Sequence, residues 1–161
     1  QGSQFDGDGN NVNWWTKEDR AKFDARTQKL VDQFDAYTPL ANHPDKHVNG
    51  RLTLGENIGD LGGLNAAYDA LQMALAKNPK EAAEKIDGYT EDQRFFLNWA
   101  RVWRGSTREQ RQLVLLNADP HSPTQCRAIG APSNMPAFAQ AFSCKAGDAM
   151  VRGGDKQVKI W

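Results

Sequence analysis

Apolar residues recur along this chain every three or four positions, set among charged ones. Phe23, Leu30, Phe34 and Tyr37 stand at helical spacing inside a charged run, a pattern that predicts an amphipathic helix. Thr16 opens it, with Asp19 three residues on as an approximate capping box, and the chain leaves the helix before Pro39. A second helix is predicted from Thr53 to about Lys77, stopping before Pro79, with Glu56 at the box position of Thr53. A third begins after Thr90, where Gln93 completes a box, and carries Phe96, Trp99, Val102 and Trp103. Ser106 or Thr107 would cap a shorter fourth helix through Leu113 and Leu116, and Pro136 suits the first turn of a fifth, reaching about Phe142. Residues 1–13 and 39–50 are turn-rich. Residues 117–134 hold Pro120, Pro123, Gly130 and Pro132 and read as a long ordered loop, because apolar residues recur in them. Gln157 to Trp161 reads as a short strand ending in a buried Trp161. The expected fold is mainly α, a single helical domain over residues 1–161 with at most short strands.

Composition narrows this little. The 161 residues are 39% hydrophobic and 25% charged, enough for a soluble domain with a core. The 20 basic and 20 acidic residues cancel, so nothing points to nucleic acid or an anionic membrane as partner. No apolar run approaches the ~18 residues of a membrane span. Cys126 and Cys144 permit one disulfide but lack metal or redox spacing, and fit free or structural thiols. Asp6-x-Asp8-x-Asn10 resembles the opening of a calcium loop, yet Asn11 and Lys17 stand where that loop needs Gly and a bidentate Glu. There is no phosphate-binding glycine loop and no nucleophile elbow.

The second helix carries the chemical clue. Gly55, Gly59, Gly62 and Gly63 fall at i, i+4, i+7 and i+8, each costing a helix ~1 kcal/mol relative to Ala. A bare face of this kind predicts close approach by another backbone. Glu56 and Asp60, at i and i+4, place two like charges on one face. A metal, a histidine or an arginine would compensate them. Alternatively Glu56 is only the capping-box partner of Thr53 and Asp60 a solvated acid near the helix start. His43 and His47 are i, i+4, but Pro44 lies between them and no Glu follows His43, so both read as surface residues. His121 sits in the rigid Asp119-Pro120-His121-Ser122-Pro123 segment, where an imidazole could donate to a developing oxyanion. Arg127 could hold a carbonyl or carboxylate by paired bonds. A capping His and a surface Arg are the plain alternative.

The segment Gly55-Glu56-Asn57-Ile58-Gly59-Asp60-Leu61-Gly62-Gly63 resembles the E-N-x-x-D signature of the neprilysin-type (M13) zinc metallopeptidases. Trp14-Trp15-Thr16, Phe95 to Ala100 with Val102-Trp103, Asp119 to Pro123, Arg127, Ser133-Asn134-Met135-Pro136, Phe138 to Phe142, Cys144 and Trp161 extend the resemblance over essentially the whole chain. It implies the C-terminal portion of a zincin catalytic domain. Glu56 would be the third zinc ligand, Asp60 an acid orienting a zinc-bound histidine, His121 the stabiliser of the tetrahedral intermediate and Arg127 a contact to an oligopeptide substrate. The family's H-E-x-x-H helix would lie upstream of Gln1, so the isolated chain is expected to hold zinc weakly or not at all and to be inactive. The glycine face would pack on that helix, or serve self-association if left open. A non-catalytic helical module that binds peptide or protein is the alternative. The family resemblance also implies a periplasmic, secreted or membrane-anchored ectodomain, with no membrane contact by this segment.

Overall fold

The computed structural model describes residues 2–160. Helix α1 spans Lys17–Asp35, α2 Leu54–Lys77, α3 Pro79–Ala83, α4 Glu91–Val102, α5 Glu109–Ala118, α6 Thr124–Gly130 and α7 Pro136–Ala141, with single 3-10 turns at Gly2–Gln4, Pro132–Asn134 and Gly154–Lys156. Among the described residues there is no sheet, only isolated bridges at Phe5 and Asn11 and at Ile86 and Tyr89. No helix among them is long and apolar enough to cross a membrane.

The helix starts follow the local chemistry with two exceptions. The Thr16 hydroxyl accepts the Asp19 N–H at 3.0 Å and donates to the Asp19 carboxylate at 2.6 Å. Thr90 and Gln93 form a full capping box. Thr53 does not cap α2: its hydroxyl donates to Asn49 O at 3.0 Å and accepts from Asn57 Nδ2 at 2.9 Å. Helix α5 begins at Glu109 after Arg108, rather than at Ser106 or Thr107. The proline at the end of α2 does not end helicity either. Asn78 accepts the Glu81 N–H and opens α3, with Pro79 in its first turn.

The segment 117–134, expected as a loop, contains α6 and the turn Pro132–Asn134. Pro123 supplies the fixed φ that precedes the helix. This short helix packs against α1, α2 and α4 and so occupies the centre of the fold. Its arrival is close enough to need glycine. A Cβ at Gly130 would overlap the ring of Phe34 on α1. Phe34 is 2% exposed and belongs to a core with Leu30, Leu61, Leu64, Phe96, Leu116 and Met135.

A buried polar network closes the same seam. The Gln33 amide on α1 donates to Gly130 O at 3.0 Å and Ser133 Oγ at 3.1 Å, and its carbonyl accepts from Asn134 at 2.8 Å. Asn134 Oδ1 accepts the Val158 N–H at 3.0 Å. This anchors the tail, whose Val158 and Ile160 are buried. Residues 157–160 therefore run as irregular chain fixed by a side chain, not as the strand expected, and Trp161 lies outside the described residues. Cys126 and Cys144 are unpaired, and burial pushes the Cys126 thiol up to about 12, which keeps it protonated. The Asp6 carboxylate is taken by the N–H groups of Asp8 and Asn10 and by the Asn10 amide, which hold its pKa low. The turn is an Asx motif rather than a cation loop.

Among the described residues, nothing packs on α2 at Gly55, Gly59 and Gly63: no atom lies within 4 Å of a Cβ placed there. Gly62, on the same face, lines a cleft with Asn134 and Val158.

Gly130→Ala should destabilise the fold by about 1–3 kcal/mol through overpacking against Phe34. Adding Phe34→Leu to that variant should recover part of the loss in urea denaturation. An unchanged midpoint for Gly130→Ala would show that α6 does not seat as described.

Candidate functional site

The second helix begins its chemistry in its first turn. Glu56 and Asp60 project from α2, His121 from the segment between α5 and α6, and Arg127 from α6. The structure brings these four together. Arg127 Nε and Nη2 donate to the two oxygens of Asp60 at 2.7 Å each, a paired fork. Arg127 Nη2 also stands 4.0 Å from Glu56 Oε2, and His121 Nε2 stands 3.3 Å from the same oxygen. The like charges of Glu56 and Asp60 are thus met by an arginine and a histidine.

Burial divides the cluster. The Asp60 and Arg127 side chains are 10% and 12% exposed, whereas those of Glu56 and His121 are 44% and 49% exposed. The buried pair is structural cement; the open pair faces solvent. Glu56 is not engaged as a capping-box partner, since Thr53 does not cap α2. Its carboxylate faces His121 instead. Among the surface clefts, one of about 680 Å³ beside Gly62 and Ile160 and one of about 520 Å³ beside Phe95 and Arg101 both lie away from this cluster.

Three residues position the cluster without having been assigned a role from their spacing. Asn57, 1% exposed, accepts the Ser122 hydroxyl at 2.8 Å and so ties the His121 segment to α2. Asp119 accepts the His121 backbone N–H at 2.9 Å and faces His121 Nδ1 at 2.8 Å. The first of these bonds, then the second, holds the Asp119 carboxyl below its ordinary range. With Nδ1 directed at Asp119, the Nε2 edge of the ring is left toward Glu56. Trp103, just past the end of α4, has its ring under the guanidinium, the centroid 3.8 Å from Arg127 Cζ. An aspartate two residues before a histidine was a readable signal; a tryptophan under an arginine 24 positions away was not. His43 and His47 stand elsewhere: His43 Nε2 meets Glu109 at 3.1 Å, and His47 meets Asp35 O.

Among the described residues no three His, Cys, Asp or Glu side chains are arranged to hold a metal ion. Zinc in proteins takes about three or four such ligands. Glu56 offers one carboxylate toward such a set.

The helical fold is that of the C-terminal portion of a zincin catalytic domain. The chain belongs to peptidase family M13, whose model matches residues 1–158. It is 47% identical to the zinc metalloprotease Zmp1 of Mycobacterium tuberculosis in complex with an inhibitor, with a TM-score of 0.91, over 100% of this chain and 24% of that one. It is 40% identical to an endothelin-converting enzyme homolog of Locusta migratoria over 93% of this chain and 20% of the relative, and 41% identical to neprilysin-11 of Caenorhabditis elegans over 89% and 17%. The chain spans about a fifth of the length of these curated relatives.

Arg127→Met should cost about 3 kcal/mol, since it leaves a buried carboxylate unpaired, and Asp60→Asn in the same background should cost less than it does alone. Chemical denaturation of the two single variants and the double variant reads this coupling. A second outcome concerns pH. A depressed carboxyl contributes stability that is present above the unfolded value near ~4 and lost as pH falls through the folded value. The difference in urea midpoint between the parent chain and Asp119→Asn should be present at about pH 6 and shrink as pH falls below ~4. A difference that persists in acid would show that the Asp119 charge is not what holds His121.

Proposed function

We propose that this chain is part of a zinc-dependent endopeptidase acting on oligopeptides, in which Glu56 is one ligand of the metal, Asp60 and His121 serve the chemistry and Arg127 holds the peptide. The observation that carries this reading is the convergence of Glu56, Asp60, His121 and Arg127 on the first two turns of α2, in a chain of family M13. The zinc metalloprotease Zmp1, similar over the whole chain, supports it.

Zinc, when bound, would supply Lewis-acid polarisation of the scissile carbonyl, and its remaining ligands and the general base would come from outside these residues. The residues on hand do three other things. Asp119 holds the His121 ring so that Nε2 points at the Glu56 oxygen; a protonated Nε2 there can donate to an oxygen that gains charge beside that carboxylate. Asp60 gives one lone pair of each oxygen to Arg127. The second lone pair of either oxygen can accept an N–H from a neighbouring imidazole and orient it. Arg127 is fixed by Asp60 and keeps other N–H groups for a peptide carbonyl. The isolated chain, with one available ligand, should neither hold zinc tightly nor hydrolyse peptide.

In the whole protein, Glu56→Ala should abolish zinc binding, read as metal content after dialysis. His121→Ala should retain zinc and lower turnover by about a hundredfold or more, as expected for loss of an oxyanion donor. Full zinc occupancy in Glu56→Ala would overturn the assignment. Peptide binding without hydrolysis in the unaltered whole protein would favour the non-catalytic module instead.

A further inference from the structure

Two tryptophans one turn apart on α4 grip residue 127 at both ends. The Trp99 indole N–H donates to Arg127 O at 3.2 Å, and the Trp103 ring lies 3.8 Å beneath the Arg127 guanidinium. The two indoles meet edge to face, with centroids 5.6 Å apart. Filler at the end of a helix is the plain reading of Trp103, but its polar atom argues otherwise. Among the described residues, Trp103 Nε1 is the buried side-chain nitrogen or oxygen that has no hydrogen-bond partner. Tryptophan usually satisfies that N–H when buried. Here the ring is oriented by what its face touches, at the expense of its edge. A cation over an indole face is attracted most strongly where water is excluded, and the Arg127 side chain is 12% exposed.

The donors of Arg127 divide accordingly. Nε and Nη2 bond Asp60. Among the described residues Nη1 has no hydrogen-bond partner, and it is not among their buried unpartnered atoms. A guanidinium held by a fork at one edge alone can still swing about that edge. With a flat ring against its face as well, its plane is determined and the Nη1 edge has one direction.

We infer that Trp103 is a positioning residue: its ring face sets the plane of the Arg127 guanidinium, so that the edge not used by Asp60 is presented to a peptide carbonyl. The direction of a bound peptide depends on this plane. The inference deepens the proposed role of Arg127 and rests on it for its consequence, though not for the positioning itself.

The test has two parts. Without substrate or metal, hydrogen exchange of the Arg127 Nε–H is followed by NMR in the chain and in its Trp103→Phe and Trp103→Leu variants. Exchange should rise roughly two- to threefold with Phe, which keeps a weaker aromatic face, and about tenfold or more with Leu, which has none. Equal exchange in all three overturns the inference; should the Leu variant fail to fold, an unchanged rate in Trp103→Phe does so. In the whole protein, Trp103→Leu should raise KM for an oligopeptide by about tenfold with kcat and zinc content nearly unchanged, and should add no further rise in an Arg127→Met background. Additive effects would show that Trp103 acts on its own, which also overturns the inference. If exchange responds as expected while Arg127→Met leaves KM unchanged, the positioning stands and the peptide-holding role of Arg127 falls.

Discussion

A guanidinium set among packed helices needs partners where it is buried, and in this molecule Arg127 has them on one edge and one face. Asp60 takes one edge, the Trp103 ring takes a face, and Trp99 holds the backbone carbonyl. These contacts come from α2, α4 and α6, so one side chain joins three of the helices. The interaction is costly to build, because both charges leave water, and costlier to break, because either partner left alone is a buried uncompensated charge. It therefore determines how α6 sits on α2. That seating places the His121 segment beside Glu56.

The apolar core and this polar knot depend on one another. Gly130, at the end of α6, lets the helix descend onto Phe34, and the Gln33 and Asn134 amides then satisfy the backbone exposed where α6 ends. Only with α6 at that depth does Arg127 reach Asp60. The glycine face of α2 runs the other way. Among the described residues, nothing comes within 4 Å of a Cβ placed at Gly55, Gly59 or Gly63. A helix carrying so many glycines gains little from its own propensity. Its stability comes from the opposite face, where Leu61, Leu64 and Leu75 are buried. The chemistry sits at the boundary between the two faces, with Asp60 on the packed side and Glu56 on the open one.

Much of the helix plan was written in spacing and caps. The capping pairs at Thr16 and Thr90 and the periodicity of Leu30 and Phe34 needed only neighbours within a turn or two. The exceptions share a cause. Thr53 was read as a cap, but its hydroxyl is drawn instead to Asn49 and to Asn57, whose own amide is committed to Ser122 far along the chain. Residues 124–130 form a helix because three other helices bury it, not because its own residues favour one. The tail was read as a strand, but its backbone bonds to the Asn134 side chain in place of a neighbouring strand.

Glu56, Asp60, His121 and Arg127 each had a plain alternative on spacing alone, and it was the family resemblance that assigned them to a site. Spacing showed that Glu56 and Asp60 share a helix face and need a compensating charge. Which charge answers which was decided by tertiary structure alone. Arg127 stands 67 positions from Asp60, and no periodicity spans that distance. The assignment of Asp60 to Arg127 and of Glu56 to His121 follows from depth: the fork-shaped guanidinium takes the buried carboxylate, where paired bonds gain most, and the half-exposed imidazole is left with the half-exposed acid.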